Sequence, residues 1–77
     1  MVQAYILIQT EVGKSSSVAE AIRSIAGVVS TDEVTGPYDI ICKLESSSVE
    51  ELGKLVIAKV QEVESITRTL TCTVVHA

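Results

Sequence analysis

Residues Ser15-Ser16-Ser17-Val18-Ala19-Glu20 and residues Ser46-Ser47-Ser48-Val49-Glu50-Glu51 repeat one pattern within a chain of 77 residues. In each copy the third serine lies three residues before a glutamate. At this spacing a hydroxyl and a carboxylate satisfy each other's free backbone N–H groups at the start of a helix. Each copy follows an apolar, strand-like segment, so the repeat predicts two similar strand–helix–strand halves.

The segments around the two helix starts have the length and the β-branched content of four strands. They span residues 2–9, 28–35, 38–45 and 66–75. The first is apolar on both faces, which is typical of a central strand. Asp32 and Glu33 indicate that the second is a charged, exposed edge strand. The Gly36-Pro37 turn joins the second and third strands in a hairpin.

Helical spacing predicts one apolar stripe on each helix. The first helix is expected to begin at its Ser17 cap and to end at Gly27, a common C-terminal stop. The predicted core positions are Val18, Ala21, Ile22 and Ile25 in the first helix and Val49, Leu52, Leu55, Val56 and Val60 in the second.

The order of elements, β-α-β-β-α-β, predicts an α+β fold of the ferredoxin-like type, with a four-stranded antiparallel sheet and two helices on one face. Residues 1–77 form a single domain in this interpretation. The first and third strands are expected to be central, with the fourth beside the first. Dimeric α+β barrels are built from domains of this architecture.

The face of the sheet away from the helices is predicted to carry Tyr5, Leu7 and Ile41, together with a row of threonines. The threonines are Thr67, Thr69, Thr71 and Thr73. Contiguous apolar area usually marks an interaction site, and a small chain gains from burial beyond its own core. We therefore expect a homodimer formed by two packed sheets. A monomer with a solvent-exposed threonine face is the alternative.

The two cysteines, Cys42 and Cys72, are expected to be reduced and buried. They lie on the third and fourth predicted strands, which are two strand spacings apart, or about 10 Å. Because this exceeds the limit of about 7 Å for a disulfide, we expect no bridge between them.

Six basic and ten acidic residues give a net charge of -4, which is unfavourable for binding nucleic acid phosphates. No apolar run approaches the ~20 residues that span a bilayer, and the first residues do not resemble an export signal. We therefore expect a cytoplasmic protein that contacts neither nucleic acid nor membrane directly.

The sequence lacks the patterns of catalytic and metal sites. It has no glycine-rich phosphate loop, and its single histidine, His76, has no cluster of metal ligands around it. Helix capping accounts for Ser17 and Ser48, and no base lies near either to activate a hydroxyl. We predict no catalytic residue, no metal and no cofactor, and a protein that is not an enzyme.

The segment Gly36-Pro37-Tyr38-Asp39 has two interpretations. As a structural turn, Gly and Pro form the bend, Asp39 caps it and Tyr38 covers one end of the core. As a binding site, a rigid turn presents a carboxylate and backbone N–H groups at the end of the sheet. A carboxylate suits an ammonium group and backbone amides suit a carboxyl group, so the ligand would be a small zwitterion such as an amino acid.

The stretch from Val34 to Leu44, VTGPYDIICKL, set between two helices, resembles the effector-binding (RAM) domain of the Lrp/AsnC regulators. The resemblance covers essentially the whole chain, and the Gly-x-Tyr-Asp turn is its most specific part. In that family the domain dimerises through its sheets, dimers assemble into rings, and small effectors, commonly amino acids, bind between dimers near this turn. The resemblance implies five ligand-binding positions: Gly36, Tyr38, Asp39, Thr67 and Thr69.

Regulators of that family carry an N-terminal helix-turn-helix domain, whereas this chain begins at its first strand. The resemblance is therefore to a stand-alone effector domain, an oligomeric regulatory module that binds amino acids and has no DNA-binding domain of its own. Such a module is expected to act through a partner, for example by assembling with full-length Lrp/AsnC regulators. Two other functions stay open: a small cofactor-free enzyme of the dimeric α+β-barrel type, and an assembly module without a ligand.

Overall fold

Four antiparallel strands form the sheet in the computed structural model, which describes residues 1–75. They are β1 (Val2–Thr10), β2 (Val28–Glu33), β3 (Ile40–Ser46) and β4 (Ile66–Thr73). Their order across the sheet is β2-β3-β1-β4. The predicted ferredoxin-like arrangement is confirmed, with β1 and β3 central and β4 on the side of β1 away from β3.

The first helix, α1 (Ser15–Arg23), begins earlier than the capping pattern predicts. Lys14 is its N-cap residue and forms no side-chain cap. Ser17 already lies in the first turn, where its hydroxyl donates to the Lys14 carbonyl at 3.0 Å. The predicted Ser17 cap is therefore wrong, and so is the predicted core position Ala21, which is exposed while Ala19 is buried.

The second helix, α2, opens as predicted. The Ser48 hydroxyl accepts a hydrogen bond from the Glu51 backbone N–H at 3.1 Å. The full capping pattern would also require the Glu51 carboxylate to accept a hydrogen bond from the Ser48 backbone N–H, and it does not. It accepts hydrogen bonds from the hydroxyls of Ser46 and Ser47 instead. The two copies of the repeated sequence thus have different local structures.

The helix α2 consists of an α-helical turn (Val49–Glu51), a π-helical segment (Leu52–Ile57) and a closing α-helical part (Ala58–Gln61). Leu52, Val56 and Val60 are buried at intervals of four residues. In an α-helix of 3.6 residues per turn, residues four apart do not lie on quite the same face. The wider turns of the π-helical segment bring them closer to one face. Val49 and Leu55 are exposed, so these two predicted core positions are wrong.

Gly27 lies in the turn after α1 rather than at the end of the helix, which stops at Arg23. Its φ angle is +97°, a left-handed conformation that side chains disfavour. A Cβ atom at this position would lie 2.5 Å from Cγ2 of Val56, and the Gly27 carbonyl accepts from the Glu45 N–H at 2.8 Å. The glycine lets α2 pack directly on this turn.

Both helices pack against one face of the sheet and form an entirely aliphatic core, apart from one cysteine. The sheet contributes Ala4, Ile6, Ile8, Ile40, Cys42 and Leu44, all fully buried. Alternation along β1 and β3 places these residues on the same face, as the sequence predicts.

Between Thr69 and Thr73, strand β4 has its faces reversed relative to the prediction, whereas Ile66, before the irregularity in the pairing, packs against the core. Cys72 and Leu70 lie opposite Tyr5 and Leu7, on the side away from the helices. Thr69, Thr71 and Thr73 lie on the helix side, since they pair with the buried Ile8, Ile6 and Ala4. The pairing with β1 determines which face each β4 side chain occupies, and alternation along β4 alone leaves that choice open.

The two cysteines are free, and they differ in exposure. Cys42 is buried in the core, whereas Cys72 is exposed, which contradicts the prediction that both are buried. They lie on opposite faces of the sheet as well as on strands separated by β1. The absence of a bridge between them thus agrees with the topology.

Candidate functional site

The turn between β2 and β3 is fastened to the end of β1. The Asp39 backbone N–H donates to the Ile8 carbonyl, and the Asp39 carbonyl accepts from the Val34 N–H, both at 2.9 Å. On the outer side of the turn, the Gln9 side-chain amide donates to the Pro37 carbonyl at 3.4 Å. The turn therefore has a defined position relative to the central strand.

The Asp39 carboxylate holds the last residue of β1. Its Oδ2 atom accepts hydrogen bonds from the Thr10 backbone N–H at 2.8 Å and from the Thr10 hydroxyl at 3.2 Å. These contacts continue the β1–β3 pairing beyond its last pair, Ile8 and Ile40. Within residues 1–75 the second carboxylate oxygen, Oδ1, has no hydrogen-bond partner. The half-buried Asp39 thus has one carboxylate oxygen that is hydrogen-bonded to Thr10 and one that is available to a ligand.

Two other predicted site residues of the turn, Gly36 and Tyr38, are more open. Gly36 is exposed, with no atom within 4 Å of the position that its Cβ would take, and Tyr38 is half-buried. Among residues 1–75, neither backbone N–H has an acceptor. The turn consequently offers two amide donors beside the Asp39 carboxylate.

Thr67 and Thr69 lie across β1 from the turn. The Thr67 hydroxyl donates to the Gln9 carbonyl at 3.1 Å, and Thr69 pairs with Ile8. Both threonines line a depression of about 250 Å³. The other residues that line it are Gln61, Ile66 and Arg68. The five predicted positions therefore lie at one end of the sheet, with the turn and the threonines on opposite sides of β1.

Sequence reasoning missed the residues that join these two parts. Gln9 contacts Pro37 through its side chain and Thr67 through its carbonyl, while Thr10 binds Asp39. Both are polar residues at the end of an otherwise apolar strand. This change of polarity was the available signal in the sequence. Only the order of the strands shows that β3 and β4 lie on either side of β1.

The second surface of interest is the open face of the sheet, formed by Tyr5, Leu7, Ile41, Leu70 and Cys72. Tyr5, on the central strand β1, is 38% exposed, and Leu70, on the edge strand β4, is 47% exposed. Lys43 crosses this surface, with its ammonium nitrogen 5.8 Å from the centre of the Tyr5 ring. The centre of this face is therefore apolar and carries the ammonium group of Lys43.

No group of three or more possible metal-ligating side chains occurs within residues 1–75, and His76 lies outside the described part of the chain. Burial raises the pKa of the Cys42 thiol to about 11, an effect partly opposed by a hydrogen bond with the Ile6 backbone. This thiol lies in the core, away from the turn. In the same range of residues, no helix is both long enough and apolar enough to cross a membrane.

A family model for the Lrp/AsnC ligand binding domain matches residues 3–77. The chain belongs to this family. The resemblance noted at the turn is thereby confirmed over nearly the whole sequence. The curated relatives that the chain matches are HTH-type transcriptional regulators.

Two of these relatives come from Pyrococcus furiosus. The HTH-type transcriptional regulator FL11 is 33% identical over 75 residues, which are 95% of this chain and 49% of FL11. An uncharacterised HTH-type transcriptional regulator, PF0250, is 41% identical over 54 residues, which are 70% of this chain and 36% of that protein. The chain therefore spans half or less of the length of these Lrp/AsnC relatives.

Solved structures share the fold. The protein TTHA0845 from Thermus thermophilus has a TM-score of 0.91 at 31% identity, with 100% of this chain and 96% of that one covered. AsnC of E. coli has a TM-score of 0.88 at 26% identity, with 99% and 52% covered. The regulator NMB0573 of Neisseria meningitidis, solved as a complex with L-Met, has the same fold, with a TM-score of 0.81 at 16% identity and 97% and 50% covered.

Proposed function

We propose that this chain is a small-molecule-binding regulatory module and that its effector is an amino acid. The proposed site lies at the end of the sheet where the turn 36–39 and the start of β4 lie on either side of β1. The observation that carries the proposal is the Asp39 carboxylate, whose Oδ2 atom is held by Thr10 at 2.8 Å while Oδ1 stays uncommitted.

The chemistry of this end of the sheet matches an amino acid. A carboxylate held in place by the backbone loses little further side-chain freedom when it binds an ammonium group, which favours binding. The backbone N–H groups of Gly36 and Tyr38, without acceptors among residues 1–75, suit the ligand's carboxyl group. Thr67 supplies a hydroxyl group on the other side of β1, where Thr69 lies on the helix-side face of the sheet. The L-Met complex of NMB0573 supports amino acids as the first ligands to test.

Calorimetry and thermal unfolding in the presence of each of the twenty protein L-amino acids test this proposal. At least one amino acid is expected to bind and to raise the Tm, because a ligand that binds only the folded state stabilises it. Binding to the Asp39→Asn variant should be about 10- to 100-fold weaker, the usual effect of removing one charge-assisted hydrogen bond.

Thr10→Val is the matched control for Asp39→Asn. It removes the 3.2 Å hydroxyl contact with Asp39 but retains the backbone N–H contact and the carboxylate charge, so its affinity should match that of the wild type. Thr67→Val and Thr69→Val test the β4 side in the same assay. The absence of binding by every amino acid would refute the ligand claim, and full binding by Asp39→Asn would exclude Asp39.

We also propose that two copies of the chain pack through the open face. The apolar side chains Tyr5, Leu7, Ile41 and Leu70 give this face the character of an interface, and a 77-residue domain benefits from the added burial. Leu70→Asp would place a charge in the packed surface and is expected to shift sedimentation from dimer, or a larger assembly of dimers, to monomer. Val12→Asp, at a fully exposed position outside that face, is the control. A wild-type monomer at high micromolar concentration would contradict this proposal.

The proposed partners include full-length Lrp/AsnC regulators, which the matched relatives exemplify. An open face that pairs with itself can also pair with the same domain of a longer chain, giving mixed assemblies. Native mass spectrometry of the chain mixed with a full-length family regulator from its own organism tests this. Masses corresponding only to the two separate assemblies would count against it.

A further inference from the structure

Arg68 lies opposite Gln9 in the β1–β4 pairing, at the end of the sheet that carries the turn. Residues opposite each other in an antiparallel pair have Cβ atoms about 5 Å apart, so their side chains are neighbours. The Gln9 side-chain amide in turn donates to the Pro37 carbonyl at 3.4 Å. Gln9 therefore lies between Arg68 and the turn 36–39.

The charge of Arg68 is not balanced by an acidic side chain. Among residues 1–75 the guanidinium forms no ion pair, and its cross-strand neighbour Gln9 is neutral. Its strand neighbours, Thr67 and Thr69, are uncharged as well. A planar guanidinium with five N–H donors is the side chain best suited to bind a carboxylate through two hydrogen bonds.

The depression beside Arg68 has polar and apolar surface in similar measure. Of its five lining residues, only Ile66 is apolar, and the others present amide, hydroxyl and guanidinium groups. Its volume of about 250 Å³ has room for an amino-acid side chain. An anionic side chain would find hydrogen-bond donors there.

Asp39 and Arg68 lie on the two sides of β1, on strands two spacings apart, or about 10 Å between backbones. One tetrahedral carbon separates the α-ammonium and α-carboxyl groups of an amino acid, so these two groups stay close together. A side-chain carboxylate lies several bonds further away and extends the distance that the ligand can bridge.

We propose that Arg68 selects an effector with a carboxylate in its side chain, that is, an acidic amino acid such as glutamate or aspartate. The proposal rests on the proposed function: Asp39 binds the α-ammonium group and the turn binds the α-carboxyl group. Arg68 then contacts the distal carboxylate, a contact that an apolar effector cannot form.

Calorimetric titration of the 77-residue protein with L-glutamate and with L-glutamine tests this selection, since the two probes have the same shape and differ in charge. The wild type should bind L-glutamate about 10- to 100-fold more tightly than L-glutamine. Arg68→Gln should bring the two affinities together by weakening only the binding of L-glutamate. Arg68→Lys, which keeps the charge without the planar fork, should keep part of the preference, and circular dichroism melts establish that each variant is folded.

Equal affinity of the wild type for the two probes would overturn the role of Arg68, and so would a preference that persists in Arg68→Gln. Binding of another amino acid without binding of L-glutamate or L-aspartate would overturn the selection by Arg68 while leaving the proposed function in place. If no amino acid bound at all, the proposed function and the role of Arg68 would both be wrong.

Discussion

Asp39 is bound to Thr10 through the β1 backbone, with its carboxylate oxygen Oδ2 2.8 Å from the Thr10 nitrogen. The same side chain is the anionic group of the candidate effector site. A residue with both roles complicates mutagenesis, because an alanine variant loses the structural contact together with the charge. Asparagine separates the two roles, since it keeps an oxygen acceptor and removes the charge.

The Asp39→Ala variant is expected to have a free energy of unfolding about 1–3 kcal/mol below that of the wild type, because the part-buried Thr10 N–H loses its acceptor. Asp39→Asn should lose about 1 kcal/mol or less. Urea denaturation measures both. Equal losses for the two variants would show that the contact with Thr10 does not depend on an oxygen acceptor at residue 39.

Gly27→Ala is expected to lower the free energy of unfolding by about 2–4 kcal/mol, through left-handed backbone strain and overpacking. The new Cβ would lie 2.5 Å from Cγ2 of Val56, a side chain with little room to move in the core. The matched control is Gly53→Ala in α2, where no atom outside the backbone of that helix lies within 4 Å of the added methyl group. That substitution should raise stability by about 0.5–1 kcal/mol, and thermal and urea unfolding of the pair would reveal the opposite signs.

Ser48→Ala is expected to reduce stability by about 1 kcal/mol, since the Glu51 backbone N–H loses the hydroxyl that caps it. Ser17→Ala, at the corresponding position of the first repeat, should change stability by less than about 0.5 kcal/mol. Its hydroxyl only donates to the Lys14 carbonyl and caps no free N–H. Similar losses in the two variants, measured by urea denaturation, would contradict the difference between the two helix starts.

The stability of the protein is expected to fall between about pH 9 and 11 through Cys42. Burial raises the pKa of this thiol from its ordinary value of 9.0 to about 11, so the unfolded chain releases the proton at lower pH than the folded one. The contribution is complete below pH 9 and is lost as the pH rises towards the folded value. In a Cys72→Ser background, unfolding free energy should fall more steeply over this range with Cys42 than with Cys42→Val. Parallel curves would mean that burial does not perturb this thiol.

Much of the fold can be predicted from particular residues. Ala4, Ile6 and Ile8 alternate with Tyr5 and Leu7, and the Ser48–Glu51 pattern marks a true helix start. Those signals are local, because strand alternation and capping depend on residues a few positions apart. The predicted Ser17 cap is wrong although its local pattern matches. The hydroxyls of Ser15 and Ser16 donate to Glu33 of β2, and a contact with a distant strand is not part of a local capping pattern.

The candidate site was predictable only in part. The Gly-x-Tyr-Asp turn is visible in the sequence, and the family resemblance indicates Thr67 and Thr69 as further ligand-binding positions. Gln9 and Thr10, which connect these segments, gave only the weak signal of polar residues at a strand end. Arg68 could be placed at the rim of the sheet, but its proximity to the turn depends on β4 pairing with β1.

The sequence by itself determined the order of elements, the central strands and the aliphatic core, because these follow from hydrophobic periodicity along neighbouring residues. Only the tertiary structure decided which face of β4 carries Leu70 and Cys72, and that Thr10 occupies one oxygen of Asp39. Both depend on the register between strands distant in the chain. A shift of one residue in that register reverses every side chain on a strand, and no local pattern specifies it.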